Sequence, residues 1–106
     1  MTMTPEKKVK LKVTKLLDGF GAYWFYPVAS GFGSSGIPDI VACLHGRFIG
    51  IECKATPKDQ PTALQQKNLT RIKDQGGIAV VINAENIEEL TNVCNAIIDS
   101  RLRNLL

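Results

Sequence analysis

The chain is poor in ligands for soft or borderline metals. It has one histidine and three cysteines, Cys43, Cys53 and Cys94, and none of the cysteines forms a CxxC pair. That argues against a zinc site. The odd cysteine count also argues against a disulfide framework, so buried, reduced thiols are expected. No apolar stretch approaches the roughly 18 residues that span a bilayer. The opening segment, MTMTPEKKVKLK, carries charges with no apolar run behind them. It does not read as a signal peptide, and a cytosolic protein is expected. Repeats and linkers are missing too, so residues 1–106 are expected to form one domain with a modest core.

What is present is an ordinary globular balance, with 44% hydrophobic and 22% charged residues. The net charge of +3 is weak evidence for a nucleic-acid partner. Its distribution says more: Lys7, Lys8, Lys10, Lys12 and Lys15 crowd one segment. Such a cluster is a solvated face by default, and becomes a phosphate-binding surface only beside an active site.

Thr4-Pro5 reads as a helix start, with Thr4 as the cap and Pro5 in the first turn. Val9, Val13, Leu16 and Leu17 then share one face, and Gly19 is the expected stop. Ala22 to Val28 is aromatic and β-prone, with Pro27 marking an end or an edge. Asp39 to Leu44 and Phe48 to Lys54 read as strands joined by a tight turn at His45-Gly46. Pro61 is expected to open a helix that runs to about Gln75 and stops at Gly76-Gly77. Ile78 to Asn83 is a continuous apolar run, as in a strand buried on both faces. Asn86 is the expected cap of a last helix with a stripe of Ile87, Leu90, Val93, Cys94, Ile97, Ile98, Leu102 and Leu105. The order α-β-β-β-α-β-α predicts an α/β fold, a mixed sheet with flanking helices.

The charges near the hairpin stand out. Glu52 and Lys54 share one face of their strand, because side chains alternate. Counting from a two-residue turn pairs Leu44 with Arg47 and brings Asp39 beside Glu52. Like charges directly opposite repel across a strand pair. A cation between them is the remedy: Lys54 in an ion pair, or a divalent metal. With oxygen ligands alone, the metal would be Mg²⁺ or Mn²⁺. Glu6 lies on the inward side of the first helix, where it favours the helix dipole or leans toward these carboxylates. Gln65 falls with Leu69 and Ile72, so its amide is expected to face the sheet, satisfying a backbone group or positioning a substrate or a metal-bound water.

GIPDI, then IECKA after a glycine-containing hairpin, then PTALQ with GG eleven residues past the glutamine, resemble the virus-type replication-repair nuclease (VRR-NUC) domain of the PD-(D/E)xK nuclease superfamily. The resemblance runs from Glu6 through Val81; the last helix is not part of the shared core. It implies a restriction-endonuclease-like fold and a metal-dependent DNA endonuclease. Asp39, Glu52 and the backbone carbonyl of Cys53 would hold Mg²⁺ or Mn²⁺, with Glu6 supporting that ion or a second one. Lys54 would orient or deprotonate the attacking water, and Gln65 would complete the catalytic set. The resemblance also implies a Holliday-junction resolvase of phage or prophage type, in a bacterial cytoplasm, acting as a homodimer on branched DNA. Leu102, Leu105 and Leu106 would then form the seam, or instead finish a monomer's core. Expected backbone contacts to DNA are Lys7, Lys10, Ser30, Gly33, Ser34, Ser35 and Lys58, with Phe32 wedging against a base or folding onto the domain. A flap or nicking nuclease without junction preference, or a non-catalytic DNA-binding module, are the alternatives.

Overall fold

The computed structural model describes residues 2–28 and 36–105. Its elements are α1 (Pro5–Phe20), β1 (Tyr23–Phe25), β2 (Ile40–Leu44), β3 (Arg47–Cys53), α2 (Ala63–Asp74), β4 (Ile78–Ile82) and α3 (Ile87–Leu105). The sheet order is β1-β2-β3-β4. The first two pairings are antiparallel and β3–β4 is parallel. The expected α/β mixed sheet with flanking helices is therefore present, in the expected order.

One sheet face carries the core. Val9, Val13 and Leu17 of α1 and Leu90, Cys94 and Ile97 of α3 pack with Ile40, Ala42, Leu44, Ile49, Ile51, Cys53 and Ile82. Fully burying each large aliphatic side chain contributes about 1.5–3 kcal/mol. The other face is covered only in part. Across it, α2 brings Ile72 onto Gly50. Farther along the same face, Tyr23, Cys43 and Phe48 lie in one cross-strand row, because Cys43 pairs with both of the others. Tyr23 is 74% exposed, and Cys43 and Phe48 are exposed as well.

Several boundaries differ from the sequence reading. Helix α1 passes Gly19 and stops at Gly21, whose φ of 76° takes the left-handed cap conformation. Strand β1 is shorter than Ala22–Val28, and only Tyr23–Phe25 pair with β2. Helix α2 starts after Thr62 rather than at Pro61, because Thr62 and Gln65 form a reciprocal capping box. β4 is an edge strand, so Val80 and Val81 stay partly exposed. The Asn86 side chain turns back to β4, accepting from the Asn83 N–H at 2.6 Å and donating to the Val81 carbonyl at 2.9 Å. It fastens the β4–α3 turn. Near the end of α3, Leu102 is 55% exposed and does not finish the core. Leu106 and the Leu105 side chain lie outside the described residues.

Candidate active site

The hairpin turn sets the site. His45 and Gly46 both take positive φ, 47° and 82°, the conformation of a two-residue turn matched to strand twist. The turn fixes Leu44 opposite Arg47 and carries the ladder to Ile40 opposite Ile51. One step farther, Asp39 and Glu52 meet at the open end, on the face that α2 covers. Asp39 Oδ2 accepts a hydrogen bond of 2.7 Å from the Cys53 N–H.

Two glycines make this approach possible. A Cβ on Gly36, which has φ of 78°, would lie 2.6 Å from the Leu64 carbonyl carbon and 2.7 Å from Gln65 N. The segment leading to Asp39 can touch the first turn of α2 only because that position is glycine. A Cβ on Gly50 would lie 2.6 Å from Ile72 Cδ1 and 3.2 Å from Pro38 Cγ. Gly50 therefore makes room for both the helix and the proline beside Asp39.

Glu52 is 2% exposed, the one acidic side chain in the buried set among the described residues. Its Oε1 accepts from Gln65 Nε2 at 3.0 Å and lies 3.9 Å from Lys54 Nζ. Lys54 in turn donates to Gln65 Oε1 at 3.0 Å. The same Oε1 accepts from the Thr62 N–H at 2.8 Å, which is half of the capping box. One amide thus starts α2 and joins Glu52 to Lys54.

Glu52 Oε2 is buried with no hydrogen-bond partner. Asp39 lies beside it, and two ionised carboxylates have no donor to share. Burial first, then Asp39, to which only a protonated Glu52 can donate and whose charge opposes a second one, push the Glu52 carboxyl up to about 8, against the pull of Lys54. The Cys53 thiol points into the core, and burial, with Asp39 next, pushes it up to about 12. At neutral pH it is a packing group rather than a nucleophile.

Asp39, Glu52, Lys54 and Gln65 are brought together as expected. Glu6 is not: its carboxylate lies 3.8 Å from Lys10 Nζ, one helical turn on, and 44% of its side chain is exposed. Lys10 Nζ also lies 3.6 Å from Asp39 Oδ1, so it stands between the two acids. Burial works against the Lys10 charge, but Asp39 and Glu6 outweigh it and raise its pKa. Among the described residues, no three Asp, Glu, His or Cys side chains form a metal-sized cluster. The oxygens able to hold an ion are those of Asp39 and Glu52, together with the Cys53 carbonyl. That carbonyl faces the Asp39 side, because the N–H and C=O of one strand residue point the same way.

The Lys10 contact was missed by reading the sequence alone; its one signal is the i, i+4 spacing from Glu6. Lys7 and Lys10 line a cavity of about 510 Å³ that also borders Glu6, Tyr26 and Asp39. Lys58 is exposed in the turn between Thr56 and Asp59 and does not border that cavity. Ser30, Phe32, Gly33, Ser34 and Ser35 lie outside the described residues. No helix among the described residues is long and apolar enough to cross a membrane.

A scan against protein families finds no match, and neither does a search of curated proteins. A solved structure described as a VRR_NUC domain does match. It superposes with a TM-score of 0.74 at 21% identity, covering 85% of this chain and 97% of that one. The chain therefore has the fold of a VRR_NUC domain.

Proposed function

We propose that the protein is a metal-dependent nuclease that hydrolyses phosphodiester bonds in DNA. The observation that carries this reading is Glu52 Oε2, a buried acid oxygen with no donor, set against Asp39. Removing a charged oxygen from water without a partner costs several kcal/mol, on the order of what a bound cation would restore. Two carboxylates and a backbone carbonyl suit Mg²⁺ or Mn²⁺, which keep their remaining positions for water and phosphate. When bound, the ion would supply positive charge and favour deprotonation of water at neutral pH.

The residues of the chain do the rest. Gln65 holds the Lys54 ammonium close to Glu52, where it can orient the attacking water and stabilise charge growing on the phosphate. The Glu52 carboxyl lies 3.9 Å from that ammonium. Lys7 and Lys10, on the cavity wall beside Asp39, would meet the DNA backbone and contribute no base readout.

Branched DNA as substrate and a two-fold homodimer belong to the same proposal. A small domain has little surface with which to grip DNA, and paired sites can nick two strands of a symmetric junction. Leu102, exposed near the end of α3, offers apolar surface for the seam. A phage or prophage source and a bacterial cytoplasm remain proposals of the resemblance.

The test is cleavage of labelled junctions, flaps, duplexes and single strands with Mg²⁺, beside Glu52→Ala. Symmetric junction cuts support the resolvase, and flap or nick products alone support the simpler nuclease. A thermal shift with Mn²⁺, lost in Asp39→Asn, should accompany cleavage. DNA binding unaffected by EDTA, with no cutting of any substrate, would sink the enzyme and leave a binding module.

A further inference from the structure

We infer that Lys10 is a resident cation of the site, which holds Asp39 in the metal-free protein and competes with the divalent ion for it. The inference rests on the nuclease reading and adds a regulatory residue to it. Asp39 has two oxygens with different duties. Oδ2 is engaged by the Cys53 N–H at 2.7 Å. Oδ1 has Lys10 Nζ at 3.6 Å. An ion shared by Asp39 and Glu52 would draw on a carboxylate whose charge Lys10 already partly neutralises.

The geometry of α1 makes Lys10 suited to this task. Its ammonium lies 3.8 Å from Glu6 as well, so Glu6 acts as a second berth one turn away. Lys10 can leave Asp39 without leaving the negative field, because the i, i+4 spacing keeps Glu6 within reach. Its side chain is 30% exposed, and it borders the cavity of about 510 Å³ that Lys7 also lines. A displaced Lys10 therefore has both an anion to turn to and space to move in. This also assigns a role to Glu6, which is too far engaged with Lys10 to close a three-acid cluster. Glu6 acts on the ion through Lys10, as a positioning residue.

The consequence is a tuned affinity. A positive charge next to the ion opposes it, and removing that charge should tighten ion binding by about tenfold, the effect of roughly 1.4 kcal/mol. Lys10→Met keeps the aliphatic stem and deletes the ammonium. Lys7→Met removes an equal charge from the same helix without an Asp39 contact, and controls for the overall field. Isothermal titration of the full chain with Mn²⁺ at pH 8.5 measures all three proteins, and melting in EDTA confirms that each is folded.

The expected result is Mn²⁺ binding tightened about tenfold in Lys10→Met and changed less than twofold in Lys7→Met. Should Lys10→Met fail to fold, Lys10→Gln takes its place in the same titration. Wild-type binding with equal or weaker affinity in the Lys10 variant overturns the inference and leaves the nuclease reading standing. Equal tightening in both variants also overturns it, because the effect is then one of net charge. No Mn²⁺ binding in any of the three overturns the inference together with the metal-dependent nuclease.

Discussion

Toward α1 and α3, strands β2 and β3 present Ile40, Ala42, Ile49, Ile51 and Cys53, all buried in an apolar core. Toward α2, the other face offers Asp39, just before β2, with Gly50 and Glu52 of β3 and a polar relay running through Gln65 to Lys54. Alternation along each strand separates the two sets. The first face gains stability by excluding water from hydrocarbon. The second gives up some of that gain to keep two acids together, one of them buried and only half satisfied. A buried, half-satisfied acid is a poor stabiliser, and that difference is why the proposed function is placed on the α2 face.

Substitutions should separate the faces, and the largest effect belongs to the α2 side. Glu52→Gln preserves the shape of the side chain and should lower cleavage by about 10³-fold or more, in line with weakening the hold on the ion that would supply positive charge to the transition state. Melting in EDTA should show that this variant is at least as stable as the wild type. A comparable loss of stability would mean that Glu52 is structural.

On the core face the effects reverse. Leu17 is fully buried, and Leu17→Ala should cost about 3 kcal/mol through lost transfer energy and an unfilled cavity. Chemical denaturation reads this directly. The rate per folded molecule at low temperature should remain close to wild type.

The pH dependence of stability sharpens the contrast. The Glu52 carboxyl titrates at about 8 in the fold, above its ordinary value of 4.5. The folded state thus binds the proton more tightly than the unfolded chain. Its stabilising contribution is complete below about pH 4.5 and is lost as pH rises through about 8. In EDTA, melting between pH 5 and pH 8.5 should register a loss on the order of 2–4 kcal/mol from this group. Glu52→Gln should flatten that slope; an unchanged slope would assign it to other groups.

The smallest effect lies where the two regimes meet. Gln65→Ala removes one arm of the capping box and the link between Glu52 and Lys54. It should cost about 1 kcal/mol in stability and about tenfold in rate, visible as a fall in kcat larger than any change in KM. A KM change alone would make Gln65 a binding residue.

The hairpin was legible because its signals are local. Two residues that tolerate positive φ fix the register, and the register fixes which acids meet. The α3 stripe as far as Ile97 and the existence of β4 were legible for the same reason, whereas the exposure of Leu102, Val80 and Val81 was not, since burial depends on which neighbours cover a segment. Lys10 against Asp39 was not legible. Helical spacing places Lys10 on a face of α1 but does not say which part of the sheet that turn reaches. The stop at Gly21 instead of Gly19 depends on which glycine adopts the left-handed cap, and both have the permissive backbone. Nothing local in the sequence marks what Gly36 and Gly50 are for. Their purpose, letting α2 and Pro38 come within contact distance, exists only once the layers are stacked.

The shared amide of Gln65 has a consequence for how the site senses its occupant. Its oxygen accepts hydrogen bonds from both the helix start and Lys54, so a ligand that draws the ammonium away leaves the Thr62 N–H as sole donor to it. Loading the cleft would then slow hydrogen exchange at the beginning of α2, several residues from the acids themselves. Glutamate cannot replace Gln65 in this arrangement, since it would supply an acceptor where Glu52 needs a donor. Asparagine is one methylene too short to span the gap. The position admits little drift, and its tolerance to mutation should be narrower than that of the acids' hydrophobic neighbours.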